Sequence, residues 1–281
     1  AGCFIMSLQQ LQILMCHVSL RQIFYTNPRY ILFAHLVLND VLQLLMSTLM
    51  FMLSTTSQEV VCWLCIVLLC LSVLTTHATP LNLAVMAVEC YVAVCFPLRH
   101  AQLCTVQRTY VVIGGIWAMT SLIILPDVLI TAATRTPAFF TSVVYCERTN
   151  VFRHPAIMVK RDVQYNIYLS AIWFVLIYTY CHIFFVARAA KSSQSKSKKA
   201  QKTILLHGFQ LFLCTLSYLD HFLLRALAFW FRRYILHIAF VVYVLVLMLP
   251  RLVSPILYGL RDKAFRQHLA KHALFSVTIR A

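Results

Sequence analysis

Charged residues are scarce in this chain of 281 residues, of which Asp, Glu, Lys and Arg make up 11%. A typical soluble domain has about 25%. Hydrophobic residues make up 61%, and the mean hydropathy is +0.80. A water-soluble fold of this size could not bury so much apolar surface, so we expect most of the chain to lie in lipid.

Glycine and proline are also rare, with 5 and 8 copies, which indicates few turns and long elements. At this length we expect one helical bundle, a single domain over residues 1–281. The chain starts inside an apolar stretch, residues 2–6, and shows no secretory signal pattern. We therefore expect a longer natural N-terminus to precede it.

Acidic residues number 8 against 24 Lys and Arg, a formal charge of +16. In a soluble protein this excess would suggest nucleic acid as the partner. Here the basic residues lie in short segments between apolar runs, which is typical of loops that face an anionic membrane leaflet. No basic and aromatic module lies outside the apolar runs. We expect membrane lipids as partners, and no nucleic acid.

Seven apolar runs are long enough to cross a bilayer, because ~20 helical residues span its ~30 Å core. They cover about 2–24, 29–53, 60–96, 109–130, 163–188, 202–227 and 236–258. An amphipathic stretch at 261–272 predicts a helix lying along the membrane. The predicted fold is an all-α membrane protein, a seven-transmembrane helix bundle with a short C-terminal interfacial helix.

The distribution of Lys and Arg predicts the orientation of the bundle. They concentrate after spans one, three and five and in the tail, whereas the loop at 54–59 has none. These basic segments should face the cytoplasm, with the N-terminus outside and the C-terminus inside. The long loop between spans four and five is also basic, but long loops count less in this rule. We expect a multi-pass protein of the plasma membrane.

Motifs for catalysis are missing. His268 and His272 have a metal-ligand spacing, but no Glu lies between them at the required position and no third ligand is near. There is no nucleophile elbow, P-loop or dinucleotide fingerprint. We expect no enzyme, no catalytic residue and no metal centre. A secondary transporter is an alternative, although the inverted repeats of such proteins are not visible.

Ionisable groups inside spans are costly and are usually functional. Asp40 lies in the middle of span two and needs a buried partner. A cation such as sodium, Asn82 or Ser254 could supply it. No other cofactor is expected.

The chain has eleven cysteines, most of which should pack as small apolar residues. Cys65 and Cys146 both face the oxidising side in the predicted topology and can pair. Cys62 is a rival for Cys65, because the two form a Cys-x-x-Cys.

Four motifs resemble those of fish-type odorant receptors. Residues 86–100, MAVECYVAVCFPLRH, are similar to the family signature at the inner end of span three. Residues 27–40 resemble span two, 199–210 span six, and 254–262 the end of span seven. Trp117 falls where the family has a tryptophan in span four. The motifs occur in the family's order over nearly the whole chain.

This resemblance implies a rhodopsin-like G-protein-coupled receptor. It implies a small-molecule odorant bound in the outer half, coupling to a stimulatory, olfactory-type heterotrimeric G protein, and a Cys65–Cys146 disulfide. The chain has Glu89–Cys90–Tyr91 where the wider superfamily has Asp/Glu-Arg-Tyr. Ser254 replaces an asparagine of the last motif. A silent, non-coupling relative is therefore a second alternative.

Two sets of residues are expected to carry the receptor function. A ligand cavity needs apolar walls with a few polar groups, and the residues expected to line it are Ser72, Thr76, His77, Tyr218, Phe222 and Tyr243. Ligand should favour an active arrangement in which the inner ends of spans five and six move and a cytoplasmic cleft opens. The residues expected to border that cleft are Glu89, Cys90, Tyr91, Tyr178 and Tyr258.

Overall fold

The computed structural model describes residues 27–56, 59–189, 235–249 and 251, with isolated positions at 205, 208, 209, 212 and 215. The predicted first span and the interfacial helix at 261–272 lie outside the described residues, as does most of span six. Tyr218, Phe222, Ser254 and Tyr258 lie outside them too.

Four described helices are long and apolar enough to cross a membrane. They are α1 (Pro28–Thr55), α2 (Cys62–Cys95), α4 (Val106–Thr134) and α7 (Pro155–Ala189). They match predicted spans two to five. A further helix, α8 (Ile235–Val242), continues as a π-helical segment (Tyr243–Met248) inside predicted span seven. The predicted helical membrane bundle agrees with this architecture.

Short elements connect the long helices. They are β1 (Glu59–Val61), α3 (Pro97–Leu103), α5 (Pro137–Thr141), β2 (Val143–Tyr145) and α6 (Arg148–Val151). The two strands pair antiparallel, with Val60 opposite Val144. This ribbon was not predicted, because its residues were assigned to span three and to the outer loop. Their β-branched valines suit a strand, and the pairing lies between distant segments.

Local sequence signals explain where several helices begin and end. The side chain of Asn27 accepts the backbone N–H of Arg29 at 3.1 Å, and Pro28 occupies the first helical position of α1. The side chain of Thr105 caps α4 in the same way, from Arg108 at 3.3 Å. α2 ends before Pro97, since proline disfavours helical conformation in the residue that precedes it.

The core lies around α2, which packs against α1, α4 and α7. Its buried centre includes Leu36 of α1, Leu83 and Met86 of α2, and Leu176 and Ile183 of α7. Large apolar residues on the outer faces stay exposed, among them Val111 at 70% and Phe174 at 69%. A bundle with a packed interior and apolar outer faces suits a lipid environment.

A hydrogen bond of Trp117 links α4 to α1. Its indole Nε1–H donates to Nε2 of His35 at 3.0 Å, and the two rings meet edge to face. The tryptophan that the motif comparison singled out thus contacts a neighbouring helix.

Candidate ligand cavity and cytoplasmic face

A disulfide closes the end of the bundle at which α2 begins. It joins Cys65 of α2 to Cys146, directly after β2, with 5.4 Å between the two Cα atoms. This is the bond that the resemblance implied. Cys62 is a buried free thiol, and its backbone N–H donates to the carbonyl of Ser142 at 2.9 Å. The loop between α4 and α7 is therefore tied to the N-terminal end of α2.

A buried carboxylate beside this loop holds two cations. Asp127 of α4 pairs with Arg148 of α6 at 3.1 Å and with Lys160 of α7 at 2.5 Å. Arg148 also donates to the hydroxyl of Tyr165 at 2.7 Å, and Lys160 to the carbonyl of Ile123 at 2.7 Å. Because Asp127 is only 1% exposed, the pairing fixes the distance between the C-terminal part of α4 and the N-terminal part of α7.

His77 is buried against α7. Its Nδ1 lies 2.8 Å from the carbonyl of Val73, and its ring packs on Tyr165 and Tyr168, each with centroids 5.3 Å apart. The hydroxyl of Tyr168 donates to the carbonyl of His77. This aromatic group forms a rigid contact between α2 and α7.

An open cavity of about 570 Å³ lies between α2, α4 and α7. Its walls are mostly apolar, and its polar groups are Lys160, Gln164 and Tyr168. Met119 and Ile123 of α4 and Ala171 and Ile172 of α7 are among the apolar lining residues. Ligand sites in proteins measure ~300–1,000 Å³ and combine apolar walls with a few polar groups, as this cavity does.

The predicted ligand residues of α2 face two different neighbours. Thr76 accepts a hydrogen bond from Gln43 of α1 at 2.7 Å and donates to the carbonyl of Ser72 at 2.7 Å. Thr75, beside it, donates to the side-chain carbonyl of Gln43. Thr76 therefore belongs to a polar contact with α1, whereas Ser72 bonds to it only within α2 and His77 belongs to the contact with α7.

Tyr243 lies apart from both groups. Its hydroxyl is 2.7 Å from that of Thr48, and its ring stacks on Phe51 with centroids 4.5 Å apart. It is 3% exposed. The described members of the predicted ligand set are thus not brought together in one cavity, and only the α7 side of His77 adjoins the cavity, through Tyr168.

Asp40 has a partner that the sequence reasoning missed. Arg251 donates to its Oδ1 at 3.0 Å, and Thr79 donates to the same oxygen at 3.1 Å. Arg251 and Asp40 are 2% and 0% exposed. Asn82, one of the predicted partners, instead donates to the carbonyl of Leu32 at 3.0 Å.

This arrangement does not fit the sodium ion that was expected near Asp40. The guanidinium of Arg251 already supplies a positive charge at the carboxylate, and a second cation there would be repelled. We therefore expect Arg251, rather than a sodium ion, to balance the charge of Asp40. Arg251 is an ionisable residue inside a predicted span, so the rule that singled out Asp40 would also have found it.

At the opposite end of α2, Glu89 is held by two side chains. Arg29 of α1 donates to it through Nε at 2.9 Å and Nη2 at 3.1 Å, and Nε2 of His100 lies 3.0 Å from Oε1. The sequence analysis identified neither Arg29 nor His100 as a partner of Glu89. They join α1 and α3 to the C-terminal end of α2.

The two residues after Glu89, Cys90 and Tyr91, pack in different places. Cys90 is 4% exposed and packs in the main core. Tyr91 lies against α7, with its ring centroid 6.3 Å from that of Tyr178 and 5.8 Å from that of His182. Tyr91 and Tyr178, which were both expected to border the cytoplasmic cleft, are therefore in contact, and His182 completes the cluster.

Cys104 is the C-cap residue of α3, and its thiol interacts with the carboxylate of Glu89. Burial raises the pKa of its thiol above the usual value, and the charge of Glu89 raises that pKa further. The positive charges of Arg29 and Arg108 act on this pKa in the opposite direction.

Comparison with known proteins accounts for this architecture. Residues 12–258 match the family described as 7 transmembrane receptor (rhodopsin family). The chain belongs to the rhodopsin family of seven-transmembrane receptors. The predicted rhodopsin-like receptor fold is confirmed. So is the prediction that the chain is not an enzyme, because the family is one of receptors.

Three similar proteins are named odorant or olfactory receptors. The chain is 28% identical over 220 residues to odorant receptor 131-2 of Danio rerio, covering 76% of the chain and 66% of the relative. It is 26% identical over 202 residues to olfactory receptor 52A1 of Homo sapiens and 26% over 206 residues to olfactory receptor 52A5 of Homo sapiens. These matches cover 67% and 69% of the chain, and 62% of each human relative. The chain thus spans less than two thirds of each relative's length.

Proposed function

We propose that this receptor binds small, mostly apolar odorants in the cavity between α2, α4 and α7 and signals through a stimulatory heterotrimeric G protein of the olfactory type. The cavity carries the proposal, because its volume and lining suit a small ligand and it adjoins the rigid contact of His77 with Tyr168. Relatives named odorant and olfactory receptors support the ligand class.

The proposed orientation places the disulfide outside and Glu89 at the cytoplasm of a cell whose plasma membrane the receptor spans. The disulfide between Cys65 and Cys146 supports it, since such bonds form in oxidising compartments. The basic segments after spans one, three and five support the same orientation.

Filling the cavity should block the ligand. Ala171→Phe places an aromatic ring among the lining residues of α7. We expect at least a ~10-fold rise in the odorant concentration needed for half-maximal cyclic AMP, because overpacking costs about 1–3 kcal/mol and 1.4 kcal/mol is a factor of ten. Ile177→Phe is the matched control, since Ile177 is on the same helix and is exposed like Ala171 but does not line the cavity. An unchanged response in Ala171→Phe would place the ligand elsewhere.

The G protein is proposed to contact α3 at the cytoplasmic face. Leu98 is 92% exposed there, an unusual position for a large apolar side chain outside the lipid-crossing helices. We expect Leu98→Ala to lower odorant-stimulated cyclic AMP about tenfold while leaving odorant binding unchanged, as for loss of an interface anchor worth about 1–2 kcal/mol. Gln102→Ala, on the same short helix, should signal normally. Equal losses in both variants would show that α3 merely misfolds.

A further inference from the structure

We propose that a second cavity, at the end of the bundle that carries the disulfide, binds a phosphate group through Arg135 and Arg153. We call it the anion site and define it by its three basic lining residues, Arg135, Arg153 and His154. It shares no lining residue with the cavity proposed for odorants. The inference therefore goes beyond the proposed function and does not rest on it.

Three helices meet at the anion site. Thr131 and Thr134 come from the end of α4, Val151 from the end of α6, and Pro155 from the start of α7. The cavity measures about 290 Å³, near the lower end of the ~300–1,000 Å³ of ligand sites. Val151 is buried in the same apolar cluster as the two disulfide cysteines, so the cavity belongs to the packed structure. Its size suits a small ligand.

The two arginines of the anion site have no carboxylate to balance them. Arg135 lies over the ring of Phe139 at 5.0 Å, and Arg153 donates to the side-chain oxygen of Asn150 at 3.2 Å. Neither forms an ion pair with any side chain that the structure describes. The carboxylate of Glu147 instead contacts the amide of Asn150 at 3.5 Å. An anion between the two guanidinium groups would relieve their mutual repulsion.

The carboxylate of α4 closest in sequence to this cavity is already more than neutralised. Asp127 lies one helical turn before Thr131, whose hydroxyl donates to the backbone carbonyl of Asp127 at 2.8 Å. The single negative charge of Asp127 pairs with both Arg148 and Lys160. That group therefore has a surplus positive charge, which adds to the positive potential at the anion site rather than cancelling it.

The helix ends at the anion site do not change the sign of this potential. The last carbonyls of α4 contribute about half a negative charge, and the first turn of α7 contributes about half a positive charge. These two contributions oppose each other, whereas the two guanidinium groups carry full charges of the same sign. The arginines therefore decide that the site prefers an anion.

The donors of the anion site suit a phosphate group. A guanidinium is planar and donates two parallel N–H bonds to phosphate oxygens. A phosphate group carries about −1.5 to −2 charge at pH 7, which matches two arginines better than a single carboxylate does. His154 adds a donor, because its Nδ1 accepts the backbone N–H of Ala156 at 3.3 Å and its proton is then on Nε2. Two sources present the same oxygens, a phosphorylated solute in water and the headgroup of a phospholipid.

Thermal unfolding of the purified full chain in a non-ionic detergent tests the site, with inorganic phosphate as the probe. At equal ionic strength, we expect about 10 mM phosphate to raise the Tm by about 3 °C relative to chloride, as for a ligand at ~10 times its Kd. The double variant Arg135→Gln/Arg153→Gln should show no such rise. Arg108→Gln is the matched control, since it removes an arginine at the opposite end of α4, and it should respond like the unmodified receptor.

A single variant separates loss of binding from loss of folding. Arg153 is exposed and lies outside the apolar core, so Arg153→Gln should unfold in chloride at the same temperature as the unmodified receptor. Phosphate should raise its Tm by no more than about 1 °C, because one of the two guanidinium groups is gone. Arg153→Lys should recover part of the rise, since it keeps the charge but not the two-point contact.

Lipid nanodiscs distinguish the two sources of phosphate. If a headgroup occupies the anion site, adding phosphatidic acid to phosphatidylcholine discs raises the Tm of the unmodified receptor but not of the double variant, and free phosphate then adds nothing. If a solute occupies it, phosphatidic acid has no effect and free phosphate still raises the Tm. Either result supports the site and identifies its ligand.

Three results would overturn the proposal. One is a phosphate-induced rise of equal size in the double variant and in the unmodified receptor. Another is an unmodified receptor whose Tm responds neither to phosphate nor to phosphatidic acid. The third is acetate raising the Tm as much as phosphate at equal ionic strength, which would show that the site does not select a phosphate group.

Discussion

Replacing Cys65 or Cys146 with serine is expected to remove most of the receptor from the cell surface and abolish every odorant response. The bond closes a segment of 81 residues, and cross-linking a loop of this size stabilises a fold by roughly 4 kcal/mol. It also holds β2 beside the start of α2, where Leu69 and Phe152 pack around the buried sulfurs. Antibody staining of intact cells measures the loss.

Two further variants sharpen this test. The double variant Cys65→Ser/Cys146→Ser should be no worse than either single variant, because the same bond is lost only once. Cys62→Ser is the matched control: its thiol is buried near Cys65 but free, so surface display should stay near the normal level. A loss in Cys62→Ser as severe as in Cys65→Ser would show that Cys62 takes part in the bond.

Replacing Arg251 with methionine is expected to destabilise the purified receptor by about 3–5 kcal/mol, because it leaves the carboxylate of Asp40 buried without its cation. Arg251 and Asp40 are 2% and 0% exposed, so water cannot solvate the carboxylate in place of the guanidinium. Adding Asp40→Asn to this variant should recover most of the loss, since no uncompensated charge remains. Thermal unfolding in detergent measures all three proteins.

Sodium gives this prediction a second readout. In the unmodified receptor, sodium should stabilise no better than a bulky organic cation at equal ionic strength, because Arg251 occupies the place of a cation at Asp40. In Arg251→Met, sodium should stabilise specifically, because the carboxylate is then open to it. Specific stabilisation of the unmodified receptor by sodium would contradict the assigned role of Arg251.

Spans two to five were predictable because lipid imposes length and apolarity on each helix separately. Their ends were less predictable where polar residues extend a helix. Span five was predicted from residue 163, but α7 begins at Pro155. Its first turns carry Lys160, whose charge is neutralised by Asp127 at 2.5 Å. Hydropathy alone cannot show that a lysine has such a partner.

The polar pairs could not be predicted because sequence tells which residue needs a partner, not which helix faces it. Arg251 and Asp40 are 211 positions apart, and Arg29 and Glu89 are 60 apart. The buried carboxylate of Asp40 was correctly expected to need a partner, yet Arg251 was not identified as that partner. Only the packing of α1 against α2 and the π-helical region makes the pair visible.

The described members of the predicted ligand set on α2 contact different helices for a simple geometric reason. Thr76 and His77 are consecutive on α2, and consecutive helical residues point about 100° apart at 3.6 residues per turn. Thr76 therefore contacts Gln43 of α1, while His77 contacts Tyr168 of α7. Spacing showed that Ser72 and Thr76 share a face, but not that this face meets α1.

The central claim is that an odorant in the cavity causes signalling, and cyclic AMP in cells that display the receptor tests it most directly. The cells are supplied with an olfactory-type stimulatory G protein and exposed to pools of volatile and water-soluble odorants. We predict a rise in cyclic AMP with at least one pool, weakened in Ala171→Phe but not in Ile177→Phe. No rise with any pool, at normal surface display, would contradict the account and indicate a silent receptor.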